Sequence, residues 1–172
     1  KMAWEPVWSP DGKFIAFNDN KVRVQVLEIA TGAITTIDTA GNNMQRGDMG
    51  LSWSHDGKWL AYSRAGDNHL RRIMVWSVQT KTVQPVTNMF ADAFSPAFDR
   101  NGKNLYFIAS TEVALGSGWA NTSAMMARPE YEAYVINLNK SDESPFKPKS
   151  AEEEIKKEAA EEKASTQDVK TT

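Results

Sequence analysis

A repeat with a period of 45 residues constrains the fold of this chain more than any other feature. Residues 8–17, Trp-Ser-Pro-Asp-Gly-Lys-Phe-Ile-Ala-Phe, return as residues 53–62 and, with more changes, as residues 98–107. The glycines of the three copies stand at positions 12, 57 and 102, so both intervals are 45 residues. A fixed period of this length is typical of architectures in which one small unit is repeated along the chain.

Each copy has the pattern of a strand, a tight turn and a second strand. An aromatic residue ends the first strand, Pro10 presets φ, and Gly12 supplies a positive φ at no steric cost. Aromatic and branched residues then form the second strand. This pattern assigns turn chemistry rather than ligand binding to Asp11, Asp56 and the residues around Gly102.

A third strand follows in each copy, at residues 22–29, 73–78 and 131–138, and it is apolar on both sides, which indicates cover on both faces. The first two copies add a fourth segment, at residues 33–37 and 82–86, whereas the third leaves the pattern at Asp142. The predicted fold class is all-β: three four-stranded antiparallel blades of a larger β-propeller. A β-sandwich would explain the short strands but not the period.

The predicted boundaries follow from the repeat. A propeller segment occupies residues 1–146, with blades at about 1–45, 46–90 and 91–146 and a long loop at 111–129. A charged linker or tail, residues 147–172, follows and is expected to be helical or disordered. Ile155 and Val169 are its only large apolar residues, so no apolar stripe is available to dock it.

Three blades do not complete a propeller, which needs about four to eight. The two terminal blades would expose apolar faces, and the sequence enters the pattern in mid-blade at Lys1. We therefore expect a piece of a longer chain. A homo-oligomer, such as a ring of two copies with six blades, is the alternative.

Composition excludes several classes of function. The net charge of -2 provides no basic field for nucleic acid. No run of eighteen apolar residues spans a membrane, and the start of the chain has no signal-peptide core. The absence of cysteine removes disulfides, thiolate catalysis and cysteine-based zinc sites. His55 and His69 are interpreted as solvated loop residues, and neither a cofactor nor a metal site is predicted.

The long loop of the third copy is the candidate functional segment, because long loops on rigid scaffolds often carry function. Its residues 116–118, Gly-Ser-Gly, lack the strand and helix that flank a nucleophile elbow, so they indicate a flexible loop. A plain cover over the end of the propeller is the alternative for the whole segment. The residues predicted to contact a peptide or a neighbouring domain are Trp119, Met125, Met126 and Arg128.

The turn unit resembles the TolB-like propeller repeat, which occurs in TolB, in the prolyl oligopeptidase group and in tricorn protease and its relatives. The end of the third repeat is more discriminating. Ser144, Pro145 and Phe146 lead into a Glu- and Lys-rich stretch, which is similar to the spacer of the tricorn relatives and is lacking in TolB.

The tricorn resemblance implies a parent serine protease in which propellers admit peptides, so that this chain would be gate and scaffold. Its implied partners are the remaining blades, the protease domains and peptide substrate, with no nucleic acid and no membrane, and its implied location is the cytoplasm. The family's catalytic motifs have no counterpart here, so no catalytic residue is assigned. The alternatives are a TolB-like interaction module, with the periplasm as its location, and the propeller lid of a prolyl oligopeptidase-type enzyme.

Overall fold

The computed structural model describes residues 2–39, 49–112 and 130–147, and this part of the chain contains strands and turns but no helix. The strands are β1 (Ala3–Trp8), β2 (Phe14–Asp19), β3 (Arg23–Glu28), β4 (Ile34–Thr39), β5 (Ser52–Trp53), β6 (Trp59–Ala65), β7 (Arg71–Ser77), β8 (Val83–Pro85), β9 (Asp92–Phe98), β10 (Asn104–Ser110) and β11 (Glu132–Asn137). Within the same ranges, no helix that is long and apolar enough to cross a bilayer is found.

The strands form three antiparallel sheets, which confirms the prediction of propeller blades. Blade 1 has the order β1-β2-β3-β4, blade 2 the order β5-β6-β7-β8, and blade 3 the order β9-β10-β11. The first strand of each blade ends at the predicted aromatic residue, Trp8, Trp53 or Phe98.

Blade 3 differs from the predicted four strands, since three are present in the described residues. After β11 the chain enters a turn, in which the Asp142 amide donates to the Asn139 carbonyl (3.1 Å). The Asn137 side chain closes this turn by donating to the Asp142 carbonyl (2.6 Å). Blades 1 and 2 have a turn at the equivalent position, and it leads there into an outer strand, β4 or β8.

Side-chain hydrogen bonds build the repeated turn between the first and second strands. The Ser9 hydroxyl donates to Asp11 (2.6 Å) and accepts from the Phe14 amide (2.9 Å). Ser54 and Asp56 repeat the arrangement in blade 2. The Ser9 hydroxyl lowers the pKa of Asp11, and the Ser54 hydroxyl does the same for Asp56. The structure thus shows these aspartates acting as turn residues.

A left-handed residue recurs at the same repeat position in each blade, within β1 and β9 and just before β5, and sequence reasoning missed it. Glu5, Gly50 and Ser95 have φ values of 50°, 60° and 52°, and they are spaced by the same 45 residues as the turns. The pairing register of β1 and of β9 shifts at this point, as it does at a β-bulge. β1 and β9 therefore bend at the same level of their blades.

The core lies between the blades. One apolar cluster joins blade 1 to blade 2, and a second joins blade 2 to blade 3. The predicted cover on both faces holds for β7, in which Ile73, Met74 and Trp76 are all buried. In β3, burial alternates along the strand, because the described residues provide blade 1 with a neighbour on one face only.

Two compact units divide the chain, Lys1–Asp142 and Glu143–Thr172. In the second unit, the described residues 143–147 form a turn in which the Lys147 amide donates to the Ser144 carbonyl (3.0 Å). The Lys147 side-chain nitrogen also lies 3.3 Å from a carboxylate oxygen of Glu143, and both side chains are exposed. The remainder of the predicted tail lies outside the described residues.

A buried carboxylate closes the hairpin between β2 and β3. Asp19 accepts from the amides of Lys21 (2.9 Å) and Arg23 (3.2 Å) and forms an ion pair with the Arg23 guanidinium. The hydrogen bond from the Arg23 side chain outweighs the effect of burial and lowers the pKa of Asp19.

We expect Asp19→Asn to destabilise the chain at pH 7 by about 1–3 kcal/mol, because Arg23 loses its charged acceptor. Since the folded pKa of Asp19 is depressed, its contribution is complete above the unfolded pKa of about 4 and declines as the pH falls through the folded value. Urea unfolding at pH 7 and pH 3 measures this, with exposed Asp67→Asn as control. An equal deficit at both pH values would contradict the assignment.

Candidate functional site: interblade docking faces

The residues predicted to bind a peptide, Trp119, Met125, Met126 and Arg128, lie outside the described part of the chain. His55 and His69 are described, and they are exposed at opposite ends of β6. The described residues contain no cluster of three or more His, Asp or Glu side chains arranged to hold a metal ion.

The most regular surface feature is a row of large apolar side chains that crosses each sheet, which we call the insertion row. Directly paired residues form it, one from each strand, so all its members lie on the same face. The insertion rows are Trp8–Ile15–Leu27–Ile34 in blade 1, Trp53–Leu60–Trp76–Val83 in blade 2 and Phe98–Leu105–Ile136 in blade 3.

The insertion row of blade 2 packs on blade 1. The Trp53 indole nitrogen donates to the Val7 carbonyl (3.1 Å), and its ring stacks on Phe14 with centroids 6.1 Å apart. Lys81 lies over the rings of Phe14 and Trp76, at 5.8 and 5.2 Å, in the geometry of a cation–π contact. A hydrogen bond, ring stacking and apolar burial therefore act together at this junction.

The opposite face of each blade carries a second row, which we call the receiving row. Its side chains are smaller in blades 1 and 2, whereas blade 3 has Tyr106 in this row. These rows are Val7–Ala16–Val26–Thr35 in blade 1, Ser52–Ala61–Val75–Gln84 in blade 2 and Ala97–Tyr106–Val135 in blade 3. Ala16 and Ala61 are completely buried at the two interblade contacts. An alanine at this position allows the bulky insertion row of the next blade to approach closely.

Because insertion rows meet receiving rows, the blades stack head to tail, and this arrangement leaves one face of each kind uncovered. The insertion row of blade 1 is exposed, with 58% of both Trp8 and Ile34 accessible, whereas the equivalent Trp53 is 7% accessible. The receiving row of blade 3 is likewise uncovered by the described residues, and Ala97 in it is exposed. These two faces are the candidate functional surfaces.

Polar contacts link neighbouring blades at the end of the strands opposite the repeated turns. Asp38 of blade 1 accepts from the Tyr62 hydroxyl (2.7 Å) and from Arg64 (2.8 Å) of blade 2. Burial, together with the Asp38 carboxylate, raises the pKa of Tyr62, so the hydroxyl stays a proton donor.

The junction between blades 2 and 3 has a polar link at the same end. Arg71 of blade 2 forms a two-point ion pair with Asp92 of blade 3, at 2.9 and 2.5 Å. Its guanidinium also lies 4.0 Å above the Phe94 ring. These links specify the relative orientation of the blades, and the sequence offered no periodic signal for them because they differ between the two junctions.

We expect Trp53→Ala to lower the unfolding free energy of the 172-residue chain by about 3–5 kcal/mol, since it removes a buried indole from the first junction. The matched variant Trp8→Ala alters the same repeat position on an uncovered face, and its loss should stay within about 0.5 kcal/mol. Urea denaturation followed by circular dichroism measures both values. If Trp53→Ala and Trp8→Ala lowered the unfolding free energy by similar amounts, the two tryptophans would be equally covered, which would contradict the prediction.

Comparisons with known proteins agree with this architecture. The family model described as "Tricorn protease second beta propeller domain" matches residues 2–172. Tricorn protease homolog 1 of Streptomyces coelicolor is 29% identical over 152 residues, which cover 81% of this chain and 13% of that protein. A tricorn protease homolog of Saccharolobus solfataricus is 29% identical over 102 residues, 59% of this chain and 9% of the relative.

Solved structures show the same fold. The crystal structure of the tricorn protease aligns over 87% of this chain and 15% of its own, with a TM-score of 0.66 and 18% identity. A TolB from Agrobacterium tumefaciens aligns over 80% of this chain and 46% of its own, with a TM-score of 0.55 and 17% identity. The chain thus spans 13% and 9% of the two curated relatives and 15% of the tricorn protease chain.

Proposed function

Because this chain belongs to the family of tricorn protease second β-propeller domains, we propose that it is a non-catalytic propeller segment of a tricorn-like serine peptidase. The observation that carries the proposal is the pair of uncovered docking faces, one at each end of a head-to-tail stack. Both faces continue the rows that form the interblade contacts inside the chain, and the receiving row of blade 3 differs in having Tyr106 where those contacts have alanine. Neighbouring blades of the same protein are therefore the proposed occupants.

The proposed role is that of scaffold and gate. The first strands of the blades, β1, β5 and β9, lie at one edge of their sheets, and successive blades pack through them. In a propeller these strands surround the central channel. In the full protein, this segment would form part of the channel wall through which peptides reach the protease domains.

Several features support a role outside the chemical step. His55 and His69 stand at opposite ends of β6 and cannot serve one catalytic site together. The aspartates of the repeated turns are engaged with serine hydroxyls and backbone amides. A peptidase needs a nucleophile, a base and an oxyanion hole in one place. We therefore assign the chemistry to other parts of the parent protein.

The test treats the full-length protein with a fluorophosphonate probe, which labels the activated serine of a serine hydrolase, and measures cleavage of fluorogenic peptides. We expect hydrolysis, labelling of one serine outside residues 1–172, and no turnover by the isolated 172-residue chain. Absence of both hydrolysis and labelling would refute the peptidase and favour an interaction module of the TolB kind. A labelled serine within residues 1–172 would refute the non-catalytic role.

A second experiment tests the scaffold. In the full-length protein, Trp8→Asp combined with Ile34→Asp places two charges on the insertion row of blade 1, and we expect peptide hydrolysis to fall at least about tenfold because burying an unpaired charge is costly. The control is Lys58→Ser, which alters an exposed residue outside both rows. Hydrolysis equal to that of the control would contradict a docked blade at this face.

The remaining partners and the location stay predictions. The neighbouring blades, the protease domains and a peptide substrate are the proposed partners, and assembly into a homo-oligomer is compatible with them. The proposed location is the cytoplasm, with the periplasm as the alternative if the protein acts as an interaction module.

A further inference from the structure

A cavity of about 300 Å³ lies between the repeated turns of blades 2 and 3. The corresponding turns of blades 1 and 2 are in contact instead. There, the Asp11 carboxyl group lies 3.2–3.4 Å from the position that a Cβ atom on Gly57 would take. Around the same position on Gly102, no described atom outside its chain neighbours comes within 4 Å. The Asp56 side chain therefore does not reach the third turn as Asp11 reaches the second.

The third turn is built differently from the other two. Asp99 alone accepts from the amides of Lys103 (2.9 Å) and Asn104 (3.2 Å). In the first two turns, an aspartate and a serine hydroxyl divide these two roles. Asn101 takes the place of that aspartate, so the third turn does not need its side chain. Arg100 and Asn101 line the cavity, are exposed and have no side-chain partner among the described residues.

The wall that blade 2 contributes carries a carboxylate and an indole, Asp56 and Trp59. The Ser54 hydroxyl lowers the pKa of Asp56, so this carboxylate is charged at neutral pH. Its ion pair with Lys58 (3.3 Å) is exposed and therefore weak. Leu138 of blade 3 adds apolar surface. The cavity is thus lined by a negative group from one blade and a positive group from the next, together with apolar side chains.

The first junction shows how an aromatic ring at this position binds a cation. Lys81 of blade 2 lies over the rings of Phe14 and Trp76, with its nitrogen 5.8 and 5.2 Å from their centroids. Trp59 stands in blade 2 where Phe14 stands in blade 1. The matching hydrogen bonds that follow the third strands place Ser141 of blade 3 at the position of Lys81. No lysine of blade 3 therefore covers the Trp59 ring at this position.

An external ammonium group fits the place that Lys81 fills in the first junction. The Trp59 side chain remains 44% accessible, and tryptophan attracts cations more strongly than the other aromatic residues do. The Asp56 carboxylate provides the counter-charge in the same cavity. On the blade 3 side, the Arg100 guanidinium matches a carboxylate, which it can bind through two parallel hydrogen bonds.

We propose that this cavity binds a small zwitterion, a free α-amino acid or a dipeptide, with its ammonium group at Trp59 and Asp56 and its carboxylate at Arg100 and Asn101. The volume of about 300 Å³ stands at the lower end of the range for small-molecule sites, which suits a ligand of this size. Trp59 and Leu138 favour an apolar side chain on the ligand. A sugar would use the same polar groups without needing either charge, and the test separates the two.

Equilibrium dialysis of radiolabelled L-leucine against the full-length protein measures the binding. We expect N-acetyl-L-leucine, which lacks the ammonium group, and L-leucinamide, which lacks the carboxylate, to compete at least about tenfold more weakly than leucine, because each loses a charged contact. Equal competition by either derivative would overturn the proposal, as would a lack of saturable binding up to about 10 mM leucine. Competition by glucose as strong as that by leucine would identify a sugar site and overturn it too.

Variants with matched controls locate the site. Asp56→Asn should weaken leucine binding at least about tenfold, whereas Asp11→Asn removes the same turn contacts in blade 1, away from the cavity, and should bind like the wild type. Arg100→Gln should weaken binding to a similar degree, and the exposed Lys103→Gln should not. An equal loss in Asp11→Asn and Asp56→Asn would assign the effect to turn stability and overturn the site, as would full binding by Arg100→Gln.

A third variant uses the first junction as a template. Ser141→Lys places an ammonium group where Lys81 stands, so it should cover the Trp59 ring and lower leucine affinity at least about tenfold. Ser141→Gln adds a side chain without charge and is the control. An equal loss in both variants would show filling of space rather than competition for a cation site, and would contradict the role assigned to Trp59.

Competition by leucyl-leucine separates the two sources of the zwitterion. Tighter competition than by leucine would identify a dipeptide, whose charged ends lie further apart, and weaker competition would identify a free amino acid. None of these readouts involves peptide hydrolysis, so a failure of the peptidase proposal would leave them unaffected.

Discussion

The structure depends on one packing constraint, the contact of a bulky insertion row with a row built around alanine. Each blade is a thin antiparallel sheet with no core of its own, so its apolar side chains are buried only when another blade covers them. Trp53 and its row reach blade 1 because Ala16 leaves room, and the row led by Phe98 reaches blade 2 because Ala61 does the same. Burial of this surface is the main source of stability for the stack.

The direction of the stack follows from the same contact. A row of large side chains on one face and of small ones on the other makes the two sides of a blade different, so like faces do not pair. The polar links reinforce this choice, since Asp38 meets Tyr62 and Arg64 across one junction and Arg71 meets Asp92 across the other. Buried polar groups of this kind favour one arrangement because any other would leave them unpaired.

The sequence predicted the parts of the fold that local chemistry determines. The Ser-Pro-Asp-Gly turn, the aromatic strand ends and the third strands are all visible in the spacing of residue types. The bulges at Glu5 and Ser95 were missed, because a left-handed conformation of a residue other than glycine has no reliable sequence signal. The docking faces were missed in detail for another reason: which side of Ile15 and Ala16 meets a neighbour depends on strand register, which the sequence does not show. The predicted contact residues from Trp119 to Arg128 stay predictions.

Tyr106 affects the order in which the blades pack on one another. It stands where the other two blades have Ala16 and Ala61, so the receiving row of blade 3 has a much larger side chain at this position than the rows that meet Trp53 and Phe98. The blades are nearly identical in their turns, but this residue makes the receiving row of blade 3 different from those of the other two blades. The Tyr106 side chain therefore distinguishes blade 3 from the other two blades. This difference disfavours the exchange, duplication or omission of blades, to which repetitive chains are prone.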